Sequence, residues 1–470
     1  MFSPRGASIA IAPAVAHATP VPAPPWTPQQ VRSLGTAMRG AFAPALAGAD
    51  AWSLVVLSAD GKTLYADNAD RAVTPASALK LIVAATALDV LGPQFRYRTS
   101  FAAQQPIGTD GTLDGNLWLV GSGDPSLRSP DLQRGVDALV AGGLRTIRGG
   151  VAVDAAAVRG PEYNPHWDLD DATEDYAAPT SGVSLDEDTA EFDVSGATPG
   201  EPAVVSVIPP NDVVRVDGSI GTSNGTDDVV IAAQSAPNHF HLDGYIPAGA
   251  RERDWLPVHG IAAYVGNVLQ HMLEERGIEL AAAPSTSLAP LDSISLWDRR
   301  SAPLRVLETH MLVHSDNHYA EQLLRTVGGE AGDAPDDAGG IAAEKRFLSE
   351  RGVPTPGLQL YDGSGLAPAD RVAAVTLATI LADAQLRGGN ASLYLLLPQG
   401  GRQGTLRAYD FTTALGRVRA KSGHIGGVSS LAGYVNTYDH GRVIFAFLVN
   451  GSPGNPDAAI VRAVNRLAVF

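Results

Sequence analysis

The chain has 470 residues, 45% of them hydrophobic, and a formal net charge of −16. That length leaves room for two or three domains with a full core, and an acidic balance without runs of like charge speaks against nucleic acid as a partner. The absence of cysteine rules out disulfides, and no apolar run reaches the roughly 20 residues of a membrane-spanning helix.

At the amino terminus Arg5, an apolar run over 7–15 and Ala16-His17-Ala18 have the order of a charged region, a short hydrophobic region and a cleavage site, so 1–26 is expected to be a leader that ends in a proline-rich linker over 20–25. The expected location is therefore outside the membrane, in the periplasm or at the cell-wall exterior. Thr27-Pro28 opens a helix to about 42, and 52–58 with 62–66 form a hairpin on Asp60-Gly61. An Ala- and Leu-rich helix over 76–91 follows and stops at Gly92-Pro93. Strands are expected over 95–101, 116–120 and 148–153, with a helix over 132–141. Gly121-Ser122-Gly123-Asp124-Pro125 lacks the Gly-Lys-Ser/Thr ending of a phosphate loop and reads as a tight turn. Asp168, Asp170, Asp171, Glu174 and Asp175 make an acidic cluster, which in most chains is a solvated face.

Short Val-rich runs and turn pairs then mark a small all-β unit over 191–244. Helical periodicity returns over 258–276, 303–312, 319–327, 338–351 and 372–386, with Asp362-Gly363-Ser364-Gly365 as a turn between the last two. Strands at 416–420, 429–435 and 442–450 and a helix at 457–467 complete the chain. No internal repeat is present.

The chemistry lies in three short stretches. Thr74-Pro75-Ala76-Ser77-Ala78-Leu79-Lys80 puts Ser77 and Lys80 at i and i+3, on one face of a helix start, where a hydroxyl beside an amine is a nucleophile beside its base. A helix N-terminus disfavours a cation and should lower the Lys80 pKa. Alone, the same spacing describes an N-cap serine and a solvated lysine. Only four of the 34 basic residues are lysine, however, and arginine could not give up a proton to serve as base. Ser315-Asp316-Asn317 sits between two helices, and Lys421-Ser422-Gly423-His424 between two strands, reading as a cap and a turn. His310, His314 and His318 share one helical face, which would suit a metal only if the helix were continuous; the Ser315-Asp316-Asn317 turn interrupts it, so no metal and no cofactor is expected.

Taken in order, Ser-x-x-Lys, Ser-x-Asn and Lys-Ser/Thr-Gly form the motif set of penicillin-binding proteins and serine β-lactamases. With the long gap between Lys80 and Ser315, and with Gly121 to Pro125, Asp362 to Leu366 and Gly404-Thr405-Leu406, the chain from about 27 onward resembles the class C penicillin-binding proteins of low molecular mass, the S13 serine peptidases. The resemblance implies an α/β fold: a penicillin-recognising domain, a five-stranded sheet with helices on both faces, at 27–96 and 290–470. It further implies an inserted second domain at 97–190 and 245–289, and a β-rich third domain nested at 191–244. It makes Ser77 the acylated nucleophile and Lys80 its base. Ser315 would relay a proton to the leaving amine, Asn317 would hold the substrate's acyl-side amide, and Lys421 with Ser422 and Gly423 would bind the terminal carboxylate. The N–H groups of Ser77 and His424 would form the oxyanion hole. Asp175 falls where an acid for the stem peptide's amine is expected. The implied activity is that of a D-Ala-D-Ala carboxypeptidase on peptidoglycan stem peptides, with β-lactams as covalent inhibitors; the sequence leaves open whether the enzyme also cuts cross-links as an endopeptidase.

Two departures stand out: Ser422 replaces a more common threonine, and His424 a small hydroxyl residue. The rival readings are a serine β-lactamase, a catalytically silent cell-wall binding protein and an esterase of the same fold. Class A β-lactamases share Ser-Asp-Asn but have a shorter gap between motifs and a Glu-x-x-Leu-Asn element, and the sequence holds no such element.

Overall fold

A computed structural model describes residues 24–389 and 392–470; the leader expected over 1–26 lies outside them except for 24–26. The first helix, α1 (Pro28–Leu46), starts where Thr27 and Gln30 cap each other's backbone N–H groups and Pro28 fills the first turn, where a missing N–H costs nothing. The hairpin β1 (Ala51–Leu57) and β2 (Thr63–Asp67) joins three strands from the far end of the chain, β3 (Val418–Ile425), β4 (Val428–Asn436) and β5 (Arg442–Asn450). Together they form one antiparallel sheet in the order β2-β1-β5-β4-β3.

The central strand β5 is apolar along its length because both its faces are covered. Val443, Phe445, Phe447 and Val449 face the core shared with α1 and the terminal helix Pro456–Ala468, whereas Ile444, Ala446 and Leu448 face the opposite core. That second core holds α2 (Lys80–Val90), in which every residue from Lys80 to Leu88 is buried. A helix without a polar face is an interior helix, and α2 is packed by Leu304–His314, Asn317–Glu330, Asp337–Glu350 and Ala374–Arg387.

The helix expected over 76–91 is not uniform. Ala76–Leu79 is a 3₁₀ turn, and Ala76 adopts φ +49°. With three residues per turn, positions i and i+3 eclipse, so the tight turn stacks Lys80 directly on Ser77. The third motif also departs from a turn: Lys421, Ser422, Gly423 and His424 lie inside β3, paired with β4 from Val418 to Ile425.

The middle of the chain builds a separate core around a second sheet. Its strands run in the order Ser285–Thr286, Val151–Asp154, Leu117–Val120, Arg98–Ala103 and Ile294–Arg300, and it is packed by Ser129–Ala141 and Ile261–Glu274. Beyond it Thr189–Ser195, Val204–Ile208 and Arg251–Pro257 form a three-stranded sheet. By strand pairing we assign Ile294–Arg300 to the inserted lobe and 189–257 to the β-rich unit, where the sequence suggested limits at 290 and at 191–244. Pairing partners distant in sequence decide these limits, and local patterning does not report them.

Candidate active site

The three motifs converge at the edge of the first sheet. Lys80 Nζ lies 2.9 Å from Ser77 Oγ, 2.6 Å from Asn317 Oδ1 and 2.8 Å from the Ser364 carbonyl. Lys421 Nζ lies 2.8 Å from Ser315 Oγ and 2.6 Å from the Ser422 carbonyl. Ser422 Oγ is 2.8 Å from the hydroxyl of Thr405, so the Gly404-Thr405-Leu406 stretch serves to hold the motif hydroxyl.

Backbone shape delivers these side chains. Ser315 caps Leu304–His314 with φ +64°, and Asp316 then caps Asn317–Glu330 through the Tyr319 N–H. A reversal of two helices across three residues thus turns the Ser315 and Asn317 side chains inward. The Ser77 turn is pinned by Ser430, whose hydroxyl donates to the Pro75 carbonyl at 2.6 Å. Gly365 packs so close that a Cβ there would meet the Ala76 carbonyl oxygen at 2.0 Å. At Gly423 a Cβ would lie 2.7 Å from the Ser77 nitrogen and 2.9 Å from that of Ala78.

Both lysines are fully buried. Burial drives the Lys80 amine down to about 8, against the opposing fields of Asp362, Glu321 and Asp316. Loss of water is thus the main cause of the lowering, which the sequence reading attributes to the helix end. Burial, and then the neighbouring Lys80, push Lys421 well below the ordinary lysine value. Three carboxylates oppose the shift at Lys80, and none does so at Lys421. Glu321, four residues after Asn317 and so on the same helix face, is itself raised to about 8 by burial and by Asp362 and Asp337.

His424 lies within hydrogen-bonding distance of Asp457, 2.9 Å away, and of the Tyr409 hydroxyl, 3.3 Å away. Of the three histidines on the interrupted helix, His310 and His314 pack together with ring centroids 4.7 Å apart, and His318 turns away from them. His310 pairs with Asp316 Oδ2 at 3.1 Å, whereas His318 contacts Ser184 Oγ at 2.8 Å and is held neutral by burial, its pKa falling to about 4.

Two cavities meet at Ser315 and Asn317. The smaller, about 360 Å³, is lined by Ser77, Asp171, Tyr176, Leu366 and His424. The larger, about 850 Å³, runs between the lobes past Asp175, Glu187 and Trp255. Asp175 therefore lines the adjoining cavity, and Asp171 lines the one that holds Ser77. The resemblance singled out Asp175 from the cluster, and nothing in the sequence distinguished Asp171, because an acidic cluster carries no direction. Sequence reading also missed Glu321 and Thr405, for which the i+4 spacing from Asn317 and the quoted Gly-Thr-Leu stretch were the available signals.

A model of the D-Ala-D-Ala carboxypeptidase 3 (S13) family matches residues 39–468. The chain is 32% identical over 446 residues to a D-alanyl-D-alanine carboxypeptidase of Actinomadura sp. (strain R39), covering 91% of this chain and 82% of that one. It is 27% identical over 406 residues to the D-alanyl-D-alanine carboxypeptidase DacB of Haemophilus influenzae, covering 83% of each. In fold it is similar to the crystal structure of penicillin binding protein 4 from Haemophilus influenzae, with a TM-score of 0.79 at 23% identity over 92% of this chain and 98% of that one. That protein is also known in complex with a β-lactam.

The fit at Gly423 yields a direct test. In Gly423→Ala the added methyl must displace the Ser77 turn, because backbone nitrogens cannot swing aside as a flexible side chain would. Acylation of Ser77 by benzylpenicillin, followed by stopped-flow fluorescence, should fall at least ~10²-fold, as misplacement of reacting groups by about 1 Å entails.

Proposed function

The chain belongs to the D-Ala-D-Ala carboxypeptidase 3 (S13) family, and from that premise we propose that it is a serine-type hydrolase acting on peptidoglycan stem peptides through an acyl-enzyme on Ser77. The observation that carries this reading is the 2.9 Å contact of Lys80 Nζ with Ser77 Oγ, made by an amine whose other two neighbours are acceptors. A neutral Lys80 donates its two N–H bonds to Asn317 Oδ1 and the Ser364 carbonyl, and its lone pair is left for the Ser77 proton.

Oγ then attacks the carbonyl carbon of the penultimate D-Ala, with Lys80 taking the proton. The N–H groups of Ser77 and His424 take up the developing oxyanion charge. Ser315, hydrogen-bonded to Lys421, relays to the nitrogen of the departing D-Ala the proton that Lys80 took up, and Lys80, neutral again, accepts a proton from the water that hydrolyses the ester. Lys421, with Ser422 and Gly423, receives the terminal carboxylate, whose charge restores the proton affinity that burial removes from Lys421 in the empty site. Asn317 holds the acyl-side amide. The 850 Å³ cavity bordering Ser315 and Asn317 offers room for a second stem peptide and favours endopeptidase action as well. Peptidoglycan lies outside the membrane, so an exported enzyme is proposed; among the described residues no helix is long and apolar enough to cross one.

Intact-mass spectrometry after mixing with benzylpenicillin tests the reading. One penicilloyl adduct should form, map to Ser77, vanish in Ser77→Ala and turn over slowly, while D-Ala is released repeatedly from a D-Ala-D-Ala peptide. Adduct turnover of many per second with the peptide left intact would instead make the protein a β-lactamase.

The protonation of Lys80 gives a second test. Only the neutral amine can accept the Ser77 proton, so the acylation rate should rise about tenfold per pH unit below about 8 and level off above it. Lys80→Arg, which cannot lose its proton, should lower the plateau at least ~10²-fold. A rate independent of pH between 6 and 9 would remove Lys80 as the base.

The acids offer a third. If Asp175 binds the stem peptide's amine, Asp175→Asn should lower kcat/KM about tenfold for a peptide with a free amine and leave its acetylated analogue unchanged. The same comparison on Asp171→Asn, whose parent lines the Ser77 cavity, decides which acid reads the amine.

A further inference from the structure

A neutral primary amine has two N–H bonds and one lone pair, so Lys80 can face Ser77 with its lone pair only while both other neighbours remain acceptors. Neither is an acceptor by necessity. Rotation of the Asn317 amide by 180° would present an NH₂ group to Lys80, and rotation of the peptide between Ser364 and Gly365 would replace its carbonyl by an N–H. Each is locked by a hydrogen bond, and both locks lead to one short stretch of the inserted lobe.

Asn317 Nδ2 donates to the Tyr176 carbonyl at 2.8 Å, which turns Oδ1 toward Lys80. The N–H of Gly365, on the same peptide unit as the Ser364 carbonyl, donates to Asp362 Oδ1 at 2.7 Å. The second oxygen of Asp362 accepts the Ala367 N–H and the indole N–H of Trp167, each at 2.8 Å. Trp167 is buried among Ala177, Leu366 and Ala367, with Tyr163 and Tyr361 against the same cluster. Between Trp167 and Tyr176 the chain runs through two 3₁₀ turns, so both contacts come from one compact structure. From the catalytic side Glu321 accepts the N–H groups of Gly363 and Ser364 and holds the rest of the loop.

We propose that the inserted segment 167–176 orients the two acceptors that aim Lys80 at Ser77, with Trp167 acting as a positioning residue through Asp362. The insertion is thereby part of the base's geometry as well as a wall of the cavities. It also gives the Asp362-Gly363-Ser364-Gly365 turn a role, to present one backbone carbonyl to one amine. The proposal rests on Ser77 and Lys80 being nucleophile and base.

The test is the acylation of full-length protein by benzylpenicillin, resolved by stopped flow into a non-covalent dissociation constant and a first-order acylation step. Trp167→Phe removes the indole N–H and keeps an aromatic ring in the cluster. A second variant carrying β-(3-benzothienyl)alanine at 167 keeps the volume of tryptophan with sulfur in place of N–H, and so remains informative if the phenylalanine variant does not fold. In folded protein the acylation step should slow about tenfold, as expected for a reacting group held less well in line, with the dissociation constant within about twofold of wild type. A folded variant that acylates within twofold of wild type would overturn the proposal, and so would equal losses in binding and acylation. Peptide mapping of the adduct separates this from the reading beneath it: an adduct away from Ser77 defeats that reading, whereas a Ser77 adduct formed at the wild-type rate defeats only the role of Trp167.

Discussion

Lys80 is an amine taken wholly out of water, and much of the surrounding architecture follows from that single constraint. A buried ammonium costs several kcal/mol even after relaxation unless its hydrogen bonds are met and its charge is balanced. Here three acceptors surround Nζ and three acids, Asp362, Glu321 and Asp316, lie within reach of its field. The balance is incomplete, and the incompleteness is useful: burial outweighs the acids, so the amine gives up its proton near neutrality. Lys421 is likewise pushed below the ordinary lysine value, first by burial and then by the neighbouring Lys80.

Around this amine the catalytic lobe acts as a rigid frame. Sheet and helices on both faces fix α2, and a 3₁₀ turn at its start sets Ser77 over Lys80. Left-handed backbone at Ala76 and Ser315 is a local cost sustained by dense packing on either side. Glycine occurs where backbone must meet backbone, at Gly365 against the Ala76 carbonyl and at Gly423 against Ser77. These contacts leave the reacting groups little freedom, as a site built on proximity requires.

The insertion touches the same frame at several points. His318, Gln322 and Arg325, on one helix, reach Pro179, Ser181 and Pro161 of the inserted lobe. The helix after Ser315-Asp316-Asn317 is thus clamped from outside as well as packed from within. The two cavities run along this seam, so the lobe that shapes access to Ser77 also braces the machinery behind it.

Much of this was legible in the sequence. The hairpin, the buried strand over 442–450, the terminal helix and the order of the three motifs all rest on local patterns: period-two apolar runs, caps and turn pairs that a short window contains. Ser77, Lys80, Ser315, Asn317 and Lys421 were picked out because three short motifs in this order resemble those of penicillin-binding proteins, although the spacing of Ser77 and Lys80 alone is common. Tertiary structure alone decided what a window cannot hold. It paired Ile294–Arg300 with Arg98–Ala103, strands nearly two hundred residues apart that no local pattern links. It put Asp171 on the cavity that Ser77 lines and Asp175 on the adjoining one, since neighbours in an acidic cluster point in different directions once the chain turns. It placed Lys421 inside a strand, paired across from Ala432. It also brought Trp167, Glu321 and Asp362 behind Lys80, through hydrogen bonds and burial between segments as far apart in the chain as Lys80 and Ser364. Such contacts leave no periodicity for a sequence to display.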